Sequence, residues 1–296
     1  MISTVPNPSP SIRSRLGVLV CIMLLTGLPQ MARGAQPFDP KNISGNELLD
    51  LVQNSGDPRT RMAAATEIGK RKLLQTEDAI ALVVERDTDF RVRRAALLAL
   101  QVMGSELLAR ELVVTVNFDE HKSNRKLALN LIGRLRVESA AVALVSVLQN
   151  DEVVAFRKLA ARILARNRWS VADTSLLIVV REDDNVAVRR EALKVLEVFR
   201  YEGLRTLVRE RALVDADADF RRDLVRRLSE KPELDDKDTL IRALDDPACD
   251  VGRAAAGGLV KYGESELGAL LRRKAMEARD PACAREFGKR AGELGQ

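Results

Sequence analysis

Arginine recurs at intervals of 32 residues along most of this 296-residue chain. A small residue follows most of these arginines after three positions, and an aliphatic residue follows after seven. Self-similarity with a period of about 20 to 50 residues is typical of solenoids, in which each repeat is one structural unit stacked on its neighbours. The period therefore restricts the possible folds more than any local motif does. The eight arginines are Arg61, Arg93, Arg125, Arg157, Arg189, Arg221, Arg253 and Arg285.

Each repeat contains two helical patterns. After Arg189, for example, Ala192 and Leu196 lie on one face of a helix. A second apolar run follows in other units, such as residues 143–149, and an aspartate-rich segment such as residues 181–184 supplies the turn between paired helices. No stretch alternates apolar and polar residues in the manner of a strand. These patterns predict an all-α chain.

An aspartate stands six positions before the arginine in the five central copies, and an apolar residue directly precedes most of these arginines, as Val188 precedes Arg189. This pattern resembles the HEAT repeat family, above all its short HEAT-like subgroup found in bilin lyases and bacterial scaffold proteins. The resemblance covers about residues 44–292. It implies a right-handed α-solenoid of about eight two-helix repeats, and it implies little about function because such repeats serve many functions.

The copies near the two ends depart from the pattern. Ser55 stands where the aspartate of the first repeat belongs, and Asn124 occupies the apolar position of the third. Gly288 and Gly292 stand at the positions predicted to lie in the core of the eighth repeat. Terminal repeats of solenoids are often atypical because they cap the stack. The end copies are therefore predicted to be capping repeats.

The repeated aspartate and arginine are predicted to form a structural ladder along the stack. Turn carboxylates can accept backbone N–H groups at the start of the second helix, and a guanidinium has five donors that can reach the next repeat. A binding site rarely recurs identically in every repeat of a solenoid. The predicted ladder comprises Asp87, Arg93, Asp119, Arg125, Asp151, Arg157, Asp183, Arg189, Asp215 and Arg221.

The first 34 residues differ in composition from the repeats and predict a secretory signal peptide. Arg13 and Arg15 precede the apolar run 16–28, and the small-residue pattern of residues 32–34 follows it. A basic segment, a short apolar segment and a small-residue site occur in this order in signal peptides. The apolar run is shorter than the roughly 20 residues that span a bilayer. An uncleaved N-terminal membrane anchor is the alternative.

Cleavage of this segment is expected near Gly34–Ala35, and the processed protein is expected in the periplasm or outside the cell. The predicted organisation is a signal peptide at residues 1–34, a linker at 35–43 and a single solenoid domain at 44–296. The whole chain carries 48 lysines and arginines against 43 acidic residues, but three of the arginines lie in the signal peptide. The nearly neutral remainder does not favour general binding of polyanions, and nucleic acid is not an expected partner.

Cys249 and Cys283 both occur in the sequence DPAC, in neighbouring repeats. An oxidising compartment permits a disulfide between them. Equivalent points on stacked helical layers lie roughly 10 Å apart, whereas a disulfide requires Cα atoms within about 7 Å. Two separate buried thiols are therefore the preferred interpretation, and the disulfide is the alternative. A metal site is not expected, because no histidine lies near them.

Recognisable catalytic chemistry is absent from the sequence. His121 is the only histidine and is predicted to be a solvated turn residue, so catalysis by paired histidines and metal clusters rich in histidine are excluded. The chain contains no P-loop, no dinucleotide-binding glycine motif and no G-x-S-x-G motif. No catalytic residue, cofactor or metal is assigned, and the chain is predicted not to be an enzyme.

A basic stripe is predicted along the second helices. Lysine or arginine directly follows the ladder arginine in repeats 2 to 6, and a further basic residue follows four positions later in repeats 4 to 6, on the same helix face. The family resemblance implies that this face is concave. An ordinary solvated charged face is the alternative. The stripe comprises Arg94, Lys126, Lys158, Arg162, Arg190, Lys194, Arg222 and Arg226.

The sequence therefore predicts an exported, non-catalytic scaffold or adaptor for protein–protein interactions. The expected partner is a protein with an acidic segment, and an anionic envelope polymer or lipid head groups are further candidates. One alternative is a HEAT-like lyase, or an accessory subunit of an enzyme complex. The lyases act on bilins in the cytoplasm, so the predicted signal peptide argues against that alternative. A second alternative is a structural module of an envelope assembly, anchored by an uncleaved N-terminus.

Overall fold

The computed structural model describes residues 39–169 and 173–295. Within these ranges the regular structure consists of sixteen α-helices and five short 3-10 segments, and no strand occurs among the described residues. The chain from Pro40 onward forms one compact unit. The predicted signal peptide, residues 1–34, lies outside the described residues.

The α-helices form eight consecutive pairs, and the two helices of each pair pack on each other. First helices also pack on the next first helix, as α3 does on α5, and second helices on the next second helix, as α2 does on α4. The all-α solenoid predicted from the 32-residue period is therefore confirmed. The first helices are α1 (Gly45–Asn54), α3 (Glu77–Arg86), α5 (Leu108–Phe118), α7 (Ala141–Asn150), α9 (Asp173–Glu182), α11 (Leu204–Val214), α13 (Lys237–Ala243) and α15 (Ser265–Glu277). The second helices are α2 (Pro58–Arg71), α4 (Phe90–Met103), α6 (Lys122–Leu135), α8 (Val154–Asn167), α10 (Val186–Phe199), α12 (Ala218–Glu230), α14 (Cys249–Leu259) and α16 (Pro281–Glu293).

Short side chains at the turns define where the second helices begin. Asp57 accepts hydrogen bonds from the backbone N–H groups of Arg59 and Thr60, and Asn185 accepts one from Ala187. These contacts satisfy N–H groups that have no partner within the helix. The opposite end of α4 is closed by Gly104, whose φ of 74° lies in the left-handed region typical of helix C-termini.

The ladder joins each repeat to the next one. Arg157 donates through Nε and one terminal nitrogen to the carboxylate of Asp183, and through its other terminal nitrogen to the backbone carbonyl of Asp151, six residues earlier. Asp183 also accepts the N–H of Asn185 at 2.8 Å. Each arginine therefore pairs with the carboxylate of the following repeat. The same bridge joins Arg61 to Asp87, Arg93 to Asp119, Arg125 to Asp151, Arg189 to Asp215 and Arg221 to Asp246.

The ladder ends at the pair Arg221–Asp246, because the register of the second helix shifts in the last two repeats. In repeats 1 to 6 the ladder arginine lies four residues after the N-cap residue, whereas Arg253 lies five residues after the N-cap Ala248. One residue corresponds to about 100° around a helix. Arg253 is consequently exposed and pairs with Asp250 on its own helix.

The same shift corrects the predicted core of the eighth repeat. Gly288 and Gly292 are exposed. The residues directly before them, Phe287 and Ala291, are buried instead, together with Cys283 one turn earlier in α16. The core prediction for the two glycines is therefore wrong. Counting in steps of 32 residues misplaces the core positions after a repeat that is one residue shorter. The shorter repeat turns a different face of the following helix toward the core.

A disulfide joins Cys249 at the start of α14 to Cys283 in the first turn of α16, with Cα atoms 5.7 Å apart. The preferred interpretation of two separate thiols is therefore wrong. The distance between packed helices depends on the side chains at the contact. Gly252 has no side chain where it faces the ring of Phe287, so the two helices can lie close together. The helices approach closely here, and the bond links the last two repeats beyond the end of the ladder.

Candidate functional site

All eight residues of the predicted stripe lie on second helices. Each stands one or five residues after a ladder arginine, so residues of one helix that are four positions apart share a face. The ladder arginines point into the contacts between repeats, and the stripe residues are consequently displaced toward the surface. The exposed members are Lys126, Arg162, Lys194 and Arg226, and the half-buried members are Arg94, Lys158, Arg190 and Arg222.

Three stripe arginines bind carboxylates of the same chain. Arg162 donates to both oxygens of Glu191 at 3.0 and 3.2 Å, which links α8 to α10. Arg190 lies 3.2 Å from Asp223, which links α10 to α12, and Arg222 contacts the same carboxylate at 3.2 Å. Both acids stand two residues after a ladder arginine. The sequence contains these acids at a repeated position, but the pattern of basic residues that predicts the stripe does not include them.

The hydrogen bonds between Arg162 and Glu191 show that the exposed faces of α8 and α10 adjoin, and nearby lysines add positive charge around this carboxylate. Burial works to raise the pKa of Glu191, but the hydrogen bond and charge of Arg162, together with the charges of Lys194 and Lys158, outweigh it. The pKa of this carboxyl therefore lies below its ordinary value. Lys158 and Lys194 lie near a single carboxylate that already accepts two hydrogen bonds from Arg162, and so the area keeps an excess of positive charge.

Five stripe residues have neither a hydrogen bond nor an ion pair within 4.0 Å among the described residues. They provide one such cation in each of repeats 2 to 6. In repeats 2 to 4 the cation directly follows the ladder arginine, and in repeats 5 and 6 it stands four positions later on the same helix face. Stacked helices lie roughly 10 Å apart, so the cations form a line with about that spacing. The five are Arg94, Lys126, Lys158, Lys194 and Arg226.

His121 contributes to structure at the start of α6. Its ring stacks on that of Phe90, with centroids 3.6 Å apart and planes inclined by 4°, and its Nδ1 lies 2.7 Å from the hydroxyl of Ser123. The prediction of a solvated turn residue is therefore wrong in one respect: His121 lies in the turn but is half-buried. The ring of Phe90, which belongs to the preceding repeat, covers His121. The two residues are 31 positions apart, so the contact depends on how the repeats stack.

The aspartate-rich turns have structural contacts. Asp183 and Asp215 belong to the ladder, and Asp217 accepts the N–H of Phe220 as the N-cap of α12. No group of three or more histidine, cysteine, aspartate or glutamate side chains in residues 39–169 and 173–295 is arranged to hold a metal ion. In the same part of the chain, no helix combines the length and apolar character needed to cross a membrane.

Comparison with known proteins gives structural similarity alone. No family model and no curated protein matches the chain. The crystal structure of YibA from Escherichia coli is 17% identical, with a TM-score of 0.41 over 86% of this chain and 94% of that protein. An engineered protein is 14% identical, with a TM-score of 0.35 over 84% of this chain and 78% of its own. At these values neither similarity bears on function or on individual residues.

Proposed function

We propose that this chain is an exported, HEAT-like, non-catalytic scaffold, and that its second helices bind an acidic polypeptide segment of a partner protein. The observation that carries the proposal is the line of five cations, one in each of repeats 2 to 6, that form no ion pair with any residue the structure describes. Complementary charge across an interface speeds association and selects partners. The five residues are Arg94, Lys126, Lys158, Lys194 and Arg226.

The arrangement of the charges favours a polypeptide over a lipid surface or a dense polyanion. Arg162, Arg190 and Arg222 are paired with acids of the same chain, which lowers the net positive charge of this face. Single cations about 10 Å apart suit a ligand that presents single acids at that spacing. A segment in the polyproline II conformation advances about 3.1 Å per residue with three residues per turn, so acids at every third position would lie on one side of it and meet successive cations.

The Cys249–Cys283 disulfide supports the exported location. Disulfides persist in oxidising compartments and are rare in the cytoplasm of most organisms. N-terminal sequencing of the protein from fractionated cells tests this part of the proposal. A chain that starts near Ala35 in the periplasm or medium is the expected result, and a full-length chain in the cytoplasm contradicts it.

The binding proposal is tested by reversing the charge of Lys126, Lys158 and Lys194 to glutamate. The probe is a labelled synthetic peptide with glutamate at every third position, and binding is measured by fluorescence anisotropy. Three surface ion pairs with the peptide at roughly 0.5 kcal/mol each correspond to about a tenfold loss of affinity. The matched control reverses three exposed cations outside the stripe, Arg86, Arg242 and Arg285, and is expected to bind like the wild type.

Two outcomes contradict the proposal. One is equal loss of affinity in the stripe variant and the control variant, which would indicate attraction by net charge. The other is tighter binding to vesicles of anionic lipid, or to a peptide with the same glutamates in one cluster, than to the regularly spaced peptide. Circular dichroism of each variant verifies that the helices are retained.

A further inference from the structure

An apolar groove lies between α2 and α4, in the first two repeats. It has a volume of about 460 Å³, within the range of about 300 to 1,000 Å³ of small ligand pockets. Its apolar lining includes Met62, Leu98 and Val102, and Lys70 and Arg94 also line it. Val102, an aliphatic residue near the end of α4 in the second repeat, is 49% exposed. The groove therefore presents apolar surface to an external ligand.

The small residues of the two helices explain the shape of the groove. A Cβ atom on Gly69 would lie 2.7 Å from the Cα of Ala99, so the two helices are in close contact at this point. Ala95 and Ala99 are buried and form the floor. The longer side chains Leu98 and Val102 rise beside this floor, and the depression between the helices remains open.

The groove continues the face that carries the stripe. Arg94, Leu98 and Val102 are spaced by four residues along α4 and therefore share one side of the helix. Arg94 is also the first of the five cations that form no ion pair within residues 39–169 and 173–295. In α2, Met62 and Thr66 occupy the positions that hold basic residues in repeats 4 to 6. One continuous surface is thus apolar in repeats 1 and 2 and basic from repeat 2 to repeat 6.

We infer that the groove binds aliphatic side chains of the same acidic segment, so that the partner has an aliphatic anchor at one end of its acidic residues. This inference rests on the proposed function and adds the partner's sequence pattern and its direction on the scaffold. Arg94 at the junction places an acidic residue directly beside the aliphatic anchor. Apolar burial in the groove supplies affinity, while the spaced cations determine the register of the segment.

The test compares two labelled peptides by fluorescence anisotropy. One carries two leucines followed by glutamate at every third position, and the other has serine in place of both leucines. The wild-type protein is expected to bind the leucine peptide about tenfold more tightly. The double variant Leu98→Gln, Val102→Gln is expected to bind both peptides equally, with the affinity that the wild type has for the serine peptide.

Val198→Gln is the matched control. Val198 stands at the same position of its repeat as Val102, four residues after Lys194, and is 46% exposed. This variant removes, outside the groove, an exposed valine equivalent to Val102, and it is expected to retain the tenfold preference for the leucine peptide. Loss of the preference in this control would contradict a role for the groove, because the effect would then not depend on position.

The possible results separate this inference from the proposed function. Equal binding of both peptides by the wild type, with charge reversal still harmful, overturns the groove and leaves the basic surface intact. An affinity for the leucine peptide that is unchanged by reversal of Lys126, Lys158 and Lys194 overturns both, because the groove and the stripe would then not bind the same segment. Self-association that Leu98→Gln abolishes, measured by analytical ultracentrifugation, would assign the groove to a second copy and also overturns the inference.

Discussion

The guanidinium of Arg157 donates two hydrogen bonds to the carboxylate of Asp183 in the next repeat, at 2.8 and 2.9 Å. Both side chains are largely buried, with exposed fractions of 9% and 4%. The same guanidinium lies 2.7 Å from Asp184, whose side chain is 88% exposed. Two consecutive aspartates, one largely buried and one exposed, therefore bind the same arginine. Substituting each of them in turn measures how much the buried ladder contact contributes to stability.

Asp183→Asn is expected to lower the free energy of unfolding by about 3 kcal/mol, because Arg157 keeps a buried charge without its bidentate partner. The amide oxygen can still accept the N–H of Asn185, so the turn is retained. Asp184→Asn is expected to change stability by no more than about 0.5 kcal/mol, since water surrounds that carboxylate. Urea denaturation measures both variants, and equal losses would contradict a structural ladder.

A second ladder carboxylate predicts an acid-dependent loss of stability. Burial works to raise the pKa of Asp215, but hydrogen bonds from Arg189, from the N–H of Asp217 and from Arg211 outweigh it and hold that pKa below its ordinary value. The stabilisation is present above the unfolded-state pKa of about 3.9 and is lost as pH falls through the folded-state pKa. The stability difference between wild type and Asp215→Asn is therefore expected to be constant from pH 7 to 5. It should decrease below about pH 4, and a difference independent of pH would contradict the pairing.

Glu111 in α5 is expected to show the opposite dependence. Burial raises the pKa of Glu111 above its ordinary value, against the hydrogen bond and charge of Arg110, and its Oε2 is buried without a hydrogen-bond partner among the described residues. Its favourable contribution is present below the unfolded-state pKa of about 4.3 and is lost as pH rises through the folded-state pKa. Glu111→Gln is therefore expected to become more stable relative to wild type as pH rises from 4 to 7. Urea denaturation at each pH measures this, and a relative stability that falls over the range would contradict it.

The disulfide is expected to secure the last repeat. It closes a loop between residues 34 positions apart, and loops of this length correspond to about 3 to 4 kcal/mol of stabilisation. Replacing Cys249 and Cys283 by alanine should accelerate amide hydrogen exchange in α15 and α16. Exchange in α3 and α4 should be unchanged, because each repeat contacts only its neighbours. Equal acceleration in all four helices would show that the bond acts on the whole stack.

The close contact of α2 with α4 predicts opposite effects for two glycines. Gly69→Ala is expected to cost about 2 kcal/mol, because its Cβ would meet the backbone of Ala99 at 2.7 Å. A Cβ on Gly257 in α14 would meet no atom of the described residues within 4 Å, so Gly257→Ala is expected to stabilise by about 0.5 kcal/mol through its better helix propensity. Thermal denaturation measures both changes, and a Gly69→Ala variant as stable as the wild type would contradict the close contact of α2 with α4.

The period of 32 residues predicts the paired helices and places both the ladder residues and the stripe residues on the second helix of each repeat. It predicts that the guanidinium can reach the next repeat, but it does not decide which groups Arg157 binds: the aspartate six residues earlier offers only its carbonyl, and the carboxylate comes from the next repeat. It also does not show that Arg162 and Arg190 are bound to Glu191 and Asp223. Those acids belong to neighbouring helices, and a count of basic residues does not include them.

By itself the sequence determined the all-α repeat and the helix face on which each repeated residue lies, because helical periodicity is a local property of residues within one turn or two. Tertiary structure alone decided where the ladder ends, that Cys249 bonds to Cys283, and that an open groove separates Leu98 from Met62. These features depend on the distance between helices and on the length of the turns that connect them. A turn shorter by one residue rotates the following helix face by about 100°, and a single glycine changes how closely two helices can pack.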